Sequence, residues 1–414
     1  MADRNCNGDP YSTIGPAEIK DLEERYLFST YKRYDLVISH GSGCYVFDLD
    51  GNRYLDFLAG IAVNSLGHNH PRLIRVMEEQ ARRIIHTSNL YYHPFQGQLA
   101  KRLVELSGMS RVFFTNSGTE AIEAALKVAR AHARMRGGQV KTGILTLRNS
   151  FHGRTFGALS ITAQEKYQAP FRPLVPEVTV VQEMTIPALE SAFSDETCAL
   201  VMEPIQGEGG VNPITRDFLV AARDLCTRFG ALLIFDEIQC GMGRTGKYFA
   251  YQHYGILPDM VTLAKSLAAG YPLGALLGNA VVAQTLKPGD HGTTFGGGPL
   301  ACRIALEVLD IFEAEKVLEK VGDSSQHLLR GLSKLAAKHH CIKEVRGLGL
   351  MVGVEMGSAA KEAVQRLLAR GILANAVHDT VLRLLPPLII SRDQIDQFLL
   401  SLDDVLAELA SEHP

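Results

Sequence analysis

Hydrophobic positions follow two regimes along the chain. From about residue 70, short apolar runs alternate with stretches whose apolar residues recur every three or four positions. The runs are Arg111–Thr115, Gly143–Leu147, Ala199–Glu203, Ala231–Asp236, Met260–Ala264 and Gly274–Gly278. Runs apolar on both faces predict buried strands, and spacing such as Ile122, Leu126 and Ala129 predicts helices between them. That alternation indicates a mostly parallel sheet covered by helices. Ahead of it, residues 1–30 read as a loose arm leading into a helical stretch. Gly43–Gly51 alternates and turns at Asp50-Gly51, which predicts a hairpin. Beyond about 305 the order becomes a long helix to about 338, strand 342–356, helix 359–370, strands 372–375 and 380–385, and helix 393–411. The expected fold is therefore α/β. A large domain covers 71–305, a smaller α+β domain covers 306–414, and residues 1–70 give an N-terminal arm and part of the small domain.

Composition narrows this picture. The 414 residues are 46% hydrophobic and 21% charged, which excludes a disordered chain. A formal net charge of −3 gives no basic footprint for nucleic acid or an anionic membrane. Met1–Lys20 is polar, and no run approaches the roughly 18 apolar residues of a membrane helix. The seven cysteines (Cys6, Cys44, Cys198, Cys226, Cys240, Cys302, Cys341) are scattered without a C-x-x-C pair. That usage fits a reducing compartment, so a cytoplasmic location is expected. His68-Asn-His70 and His339-His340 have no carboxylate or cysteine at ligand spacing, and no metal site is expected. The 38 glycines beside 17 prolines imply many tight turns.

In open parallel sheets, ligands bind beyond the carboxyl ends of the strands. Three such ends carry candidate chemistry. Ala231-Leu-Leu-Ile-Phe runs apolar into Asp236-Glu237, and a carboxylate ending a buried strand is costly unless it meets a cation. Met260-Val-Thr-Leu-Ala leads into Lys265, followed by small residues that leave room above the amine. Desolvation there lowers an amine's pKa and suits a Schiff-base nucleophile. Either residue alone also fits an ordinary polar strand end. Phe113–Glu120 enters a helix through Ser117-Gly118-Thr119, an anion site by its free amides. Ser117-x-x-Glu120 equally fits a plain capping box. Taken together, a phosphate seat, a reactive lysine and a buried carboxylate are what pyridoxal phosphate requires, with the carboxylate keeping the pyridine nitrogen protonated. Gly296-Gly-Gly298 after His291-Gly-Thr-Thr294 adds a second hydroxyl-bearing glycine loop. Gly241-Met-Gly-Arg-Thr-Gly246 matches G-x-G-x-x-G, but it follows Asp236 by five residues and leads into an aromatic stretch, which is the wrong context for a dinucleotide.

The sequence resembles the class III aminotransferases, fold type I pyridoxal-phosphate enzymes, from about Tyr26 to about Leu399. The resemblance rests on Asn116–Ala121, Asn149–Thr155, Glu203–Gly210, Asp236–Gly246, Leu263–Lys265 and His291–Gly297. It implies that Lys265 holds the cofactor aldehyde as an imine and moves the proton between substrate Cα and cofactor C4′. Asp236 would face the pyridine nitrogen, Gln239 the ring hydroxyl, Ile238 one ring face and Phe151 the other. Ser117, Gly118 and Thr119 would cradle the phosphate, Glu237 would belong to the same cofactor site, and Thr294 would reach the phosphate of the other subunit. The last assignment implies a homodimer with shared active sites.

For substrates, the resemblance places Arg154 on the carboxylate of an ornithine-type donor and Arg383 on the α-carboxylate of glutamate. Glu208 would pair with Arg383 when the donor lacks a carboxylate there, and Thr293 and Tyr31 would line the substrate pocket. Gly298 stands where the family usually has asparagine. The implied reaction moves the δ-amino group of N2-acetylornithine to 2-oxoglutarate, giving N-acetylglutamate 5-semialdehyde and glutamate, a step of arginine biosynthesis. Free ornithine, 4-aminobutyrate and succinyldiaminopimelate are the alternative donors. His152 leans against free ornithine, since a bulkier indole is usual there in the ornithine-specific group. An aminomutase on the same fold would not need Arg383 and Glu208, and a non-catalytic relative would not need Lys265, Asp236 and Gln239 together.

Overall fold

The structure, a computed structural model, describes residues 14–136 and 141–412. Cys6 and the first part of the expected arm lie outside the described residues. The helix Pro16–Tyr26 leads into three antiparallel strands, β1 (Ile38–Ser42), β2 (Tyr45–Asp48) and β3 (Arg53–Asp56). The turn between β2 and β3 is the expected hairpin. Asp48 organises it by accepting hydrogen bonds from the backbone amides of Asp50 and Asn52, the Asn52 side chain and the Tyr54 hydroxyl.

The central sheet uses β4 (Arg111–Thr115), β5 (Gly143–Leu147), β6 (Val178–Val181) and β7 (Thr197–Met202). A short pair, β8 (Ile205–Gln206) and β9 (Asn212–Pro213), precedes its remaining strands: β10 (Leu232–Asp236), β11 (Met260–Leu263) and β12 (Gly274–Gly278). Their order is β4-β12-β11-β10-β7-β5-β6. From β6 to β11 every pairing is parallel, and β12 runs antiparallel to both its neighbours. All residues of β7 and β10 are buried, as their unbroken apolar runs require. β6 is the strand the hydrophobic pattern did not reveal: it is a four-residue edge strand, half-covered, with no long apolar run to betray it.

The C-terminal region differs from expectation in three places, one of them the expected strand 372–375, which is two strands, Ile372–Leu373 and Asn375–Val377, in different sheets. The expected helix to 338 is two helices, Pro299–Ala314 and Val317–Lys338, broken at Lys316 with φ +51. Apolar periodicity persists across a single left-handed residue, so it hides the break. The expected strand 342–356 is a hairpin of β13 (Glu344–Leu348) and β14 (Met351–Glu355). Gly349 makes that turn possible: its φ is +62, and a Cβ there would come within 2.5 Å of Arg244 O and Thr245 Cα. β15 (Ile372–Leu373), β16 (Asn375–Val377) and β17 (Val381–Leu384) follow, giving a sheet ordered β13-β14-β17-β16. β15 instead pairs in parallel with β3, with Ile372 opposite Leu55, so the N-terminal strands and the C-terminal region share one sheet.

Candidate active site

Several chain segments meet at one edge of the central sheet, because parallel strands present their carboxyl ends together. β10 ends in Asp236, and β11 ends two residues before Lys265. β4 leads into Asn116–Thr119, β5 precedes Phe151 and His152, and β7 precedes Glu203. Together they line a cavity of about 440 Å³ whose wall includes Ser117, Thr119, Phe151, Arg154, Glu208, Asp236, Ile238, Gln239 and Lys265.

Lys265 is held in an unusual backbone state, φ +45, at the entrance to a one-turn helix. For a residue with a Cβ this conformation costs roughly 1–3 kcal/mol and persists only where surrounding packing enforces it. Burial pulls the amine down to about 8, against the opposing pull of the Glu208 carboxylate. A larger neutral fraction at neutral pH makes the amine a better nucleophile.

Asp236 is almost fully buried, yet each of its oxygens is engaged. Oδ2 lies 2.7 Å from His152 Nδ1, while Oδ1 accepts from Ile238 N at 3.0 Å and the Thr262 hydroxyl at 3.3 Å. These contacts fix the carboxylate where β10 ends and leave it on the cavity wall.

At the start of helix Gly118–Met135, the capping box is fully formed. The Ser117 hydroxyl accepts from Glu120 N, and the Glu120 carboxylate accepts from Ser117 N and Asn116 N. That consumes three amides and leaves those of Gly118 and Thr119, which have no carbonyl four residues back within the helix. Cap and anion seat therefore coexist. A Cβ on Gly118 would come within 2.7 Å of the Ile238 side chain, so glycine lets Ile238 close against the cradle.

Two guanidinium groups stand in different settings: Arg154 lines the cavity, and Arg383 lies behind Glu208, which lines it. Arg383, on β17, is 1% exposed. Its Nε donates to Asn375 Oδ1 at 3.2 Å and its Nη1 donates to the Glu208 carboxylate. Burial works to raise the Glu208 carboxyl, but Arg383, with Lys265 and the Gln239 side chain, outweighs it and holds the group below its ordinary value. Arg154 is exposed at the cavity mouth, with its guanidinium carbon 4.0 Å above the Tyr167 ring and 5.5 Å from the Phe151 ring.

The Aminotransferase class-III family model matches residues 28–406. The chain belongs to that family. The acetylornithine aminotransferase of Methanocaldococcus jannaschii is 47% identical over 94% of this chain and 98% of its own length. The enzyme of the same name from Caldanaerobacter subterraneus is also 47% identical, over 94% and 98%. Among solved structures, the ornithine aminotransferase of Toxoplasma gondii superposes with a TM-score of 0.92 at 34% identity, covering 100% of both chains. The acetylornithine aminotransferase of Elizabethkingia anophelis gives 0.85 at 31% identity, covering 96% of this chain and 100% of that one.

This class III aminotransferase is pyridoxal-phosphate-dependent, with the fold type I architecture of its structural neighbours. Its cavity fits the cofactor on its own chemistry. The lysine amine is depressed, a carboxylate is held at the wall, and a two-amide anion seat lies at a helix start. Among the described residues the Gln239 Oε1 is buried without a hydrogen-bond partner, an acceptor that fits a ring hydroxyl.

Most expected site residues of the aminotransferase line this cavity, but five do not. Arg383 stands outside the lining and meets it through Glu208. Glu237 points away from it. Successive side chains at a strand end alternate, so with Asp236 facing the cavity Glu237 turns back. There it accepts from Ala250 N at 2.6 Å and Tyr251 N at 2.8 Å, and burial pushes its carboxyl up to about 8. Its assignment to the cofactor site is corrected to a turn-anchoring one. Tyr31 is 76% exposed in a groove with Ile19, Lys20 and Tyr34, because the arm runs along its own helix. Thr293 and Thr294 sit in a neighbouring hollow with His291 and Phe295, where Thr293 Oγ1 accepts from Asn116 Nδ2. Thr294 is exposed. His152, read as a donor discriminator, has its ring buried against Asp236.

Three contributors escaped sequence reasoning. Glu203 accepts from Phe151 N and Gly207 N, each at 2.9 Å, tying two walls of the cavity together. Burial, reinforced by Asp236 and opposed by His152, pushes its carboxyl up to about 7. Tyr167 carries the Arg154 contact, and Asn375 holds Arg383. The strand register Asn375↔Arg383 would have shown the last pair, had β16 been paired beforehand.

Proposed function

We propose that this enzyme transfers the δ-amino group of N2-acetylornithine to 2-oxoglutarate, with Lys265, Asp236 and Gln239 serving the cofactor and Arg154, Arg383 and Glu208 sorting the substrates. One observation carries the reading: the buried Arg383 is already neutralised by Glu208 beside Lys265, while Arg154 at the mouth pairs with no carboxylate among the described residues. A donor reacting through a δ-carbon brings no carboxylate to that depth, so a paired Arg383 suits it. A dicarboxylate acceptor does bring one, and displacing Glu208 gives it a charge-assisted guanidinium contact. One pocket thereby accepts two differently charged substrates in turn.

Bound pyridoxal phosphate supplies the electron sink. Asp236 would hold a proton on the cofactor's ring nitrogen, Gln239 would meet the ring hydroxyl, and Ile238 and Phe151 would flank the ring. The Gly118 and Thr119 amides would bind the phosphate. Lys265 Nζ, about half neutral near pH 8, would take the proton from the substrate carbon and return it.

A homodimer completes the site, with Thr294 reaching the partner's phosphate seat. The supporting feature is a set of exposed apolar side chains on the Thr294 loop and the segment tied to it: Leu90 and Phe295 are 85% and 64% exposed, and Tyr91 and Tyr92 are exposed too. Asn89 donates to Thr293 O and Gly296 O, so that segment and the Thr294 loop form one body. Residues 71–305 act as the cofactor domain, and 306–414 with part of 1–70 as the substrate-side domain. A reducing, cytoplasmic setting suits the free thiols. Steady-state rates with acetylornithine, ornithine, 4-aminobutyrate and succinyldiaminopimelate test the donor, with acetylornithine expected to be preferred. A strong preference for another donor, or no net transfer to added 2-oxoglutarate, overturns the reading.

A further inference from the structure

Arg244 and Arg383 head the large fully buried side chains, and Arg244 has no part in the chemistry above. It belongs to the glycine-rich stretch that follows Asp236. Its Nη1 donates to two carbonyls, Leu350 O at 3.1 Å and Pro386 O at 2.5 Å, and its own carbonyl accepts from Leu350 N at 2.9 Å. Nε and Nη2 are buried without partners, and among the described residues no carboxylate pairs with it. Burial pulls the guanidinium down to about 9, against the opposing pull of the Asp56 carboxylate, which is not hydrogen-bonded to it. An unpaired buried cation is an expensive way to fill space, since an apolar side chain of like volume would pack there without the desolvation cost.

The two carbonyls it binds are not arbitrary. Leu350 sits at the β13–β14 turn, three residues before Gly353, and Gly353 is the register partner of Arg383. Pro386 lies three residues beyond Arg383, just past the end of β17. Arg244 thus grips both strands that carry and flank Arg383. It does so from the loop whose earlier residues, Asp236, Ile238 and Gln239, line the cofactor wall. Gly349 admits this contact, because any Cβ there would collide with the Arg244 carbonyl.

We propose that Arg244 is a positioning residue for acceptor recognition: it sets the place of the Arg383 strand relative to the Asp236 loop, and hence the reach of Arg383 to the substrate carboxylate. The proposal rests on the reading of Arg383 as the acceptor's carboxylate anchor. Its mark is an effect confined to one half-reaction, because only the acceptor needs Arg383 free.

The test uses the holoenzyme and follows each half-reaction separately by cofactor absorbance, for Arg244→Gln, Arg244→Lys and, as a control, Arg383→Gln. With 2-oxoglutarate, Arg244→Gln is expected to lower kcat/KM on the order of 10²-fold, as misplacements near 1 Å do. The loss should lie mainly in KM. The acetylornithine half-reaction should stay within about threefold, and Arg244→Lys, which keeps a donor for the carbonyls, should fall between. An equal loss in both half-reactions, or none in either, overturns the proposal. Should Arg244→Gln not fold, Arg244→Lys carries the same criterion. If Arg383→Gln leaves the acceptor half-reaction unchanged, the anchor reading itself fails and this proposal with it. If Arg383→Gln impairs it while both Arg244 variants do not, only the proposal fails.

Discussion

At the scale of single residues, the site works by holding charged groups where water would not place them. Lys265 combines a strained backbone with an amine near pH 8, and its function depends on the neutral form. Below that value the neutral fraction falls about tenfold per pH unit. Capture of pyridoxal phosphate by the apoenzyme should therefore accelerate from pH 6 to about 8 and then level off. Because Glu208 pulls the amine upward, Glu208→Gln should move that rise to lower pH; a profile unmoved by the substitution would disprove the coupling. Lys265→Ala should remove the covalent cofactor link, read by intact mass after borohydride reduction, and lower turnover by roughly 10²–10⁴ or more. Retention of full turnover would refute the mechanism. For Arg383, loss of a charged hydrogen-bond donor is worth about 1.5–3 kcal/mol. Arg383→Gln should thus raise KM for 2-oxoglutarate roughly 10- to 10²-fold, with little change for acetylornithine.

Whole elements explain both what the sequence revealed and what it concealed. The strands β5, β10, β11 and β12, largely buried, and the half-buried β4 were legible because each is built on a short apolar run. Asp236 and Lys265 were legible because a charge ending such a run is conspicuous. What stayed hidden depends on a single dihedral or on pairing: the break at Lys316, the turn at Gly349, and the contact of Asn375 with Arg383. Glu237 misled for a related reason, since adjacent carboxylates at a strand end look alike in sequence but face opposite sides. Its true setting makes a stability prediction. Its carboxyl lies near 8 when folded against an ordinary 4.5, so between those values the folded state binds more protons than the unfolded one. By linkage, stability then falls as pH rises through that window, by up to about 1.4 kcal/mol per pH unit from this group. Glu237→Gln should flatten the decline of Tm between pH 5 and 8, whatever it does to the absolute value. An unchanged slope would show that another group governs that range.

On the scale of the whole molecule, the decisive question is whether one chain holds a complete site. Thr294 stands in an exposed loop outside the Lys265 cavity, beside apolar side chains that a lone subunit leaves in water. If each site takes Lys265 from one subunit and Thr294 from its partner, two defects in different chains can be separated. Lys265→Ala abolishes the amine, and Thr294→Asp sets a carboxylate against a phosphate dianion, so each homodimer alone should be inactive or nearly so. In a mixed dimer, one site inherits both defects and the other inherits neither. Unfolding and refolding the two variants together at equal amounts makes about half of the dimers mixed, restoring about a quarter of wild-type sites. Were Thr294 to serve its own chain, every site in the mixture would still carry one defect and no activity would return. Recovery near that fraction, scaling with the proportion of mixed dimers on native mass analysis, is the expected result. Its absence with mixed dimers present would refute the shared site.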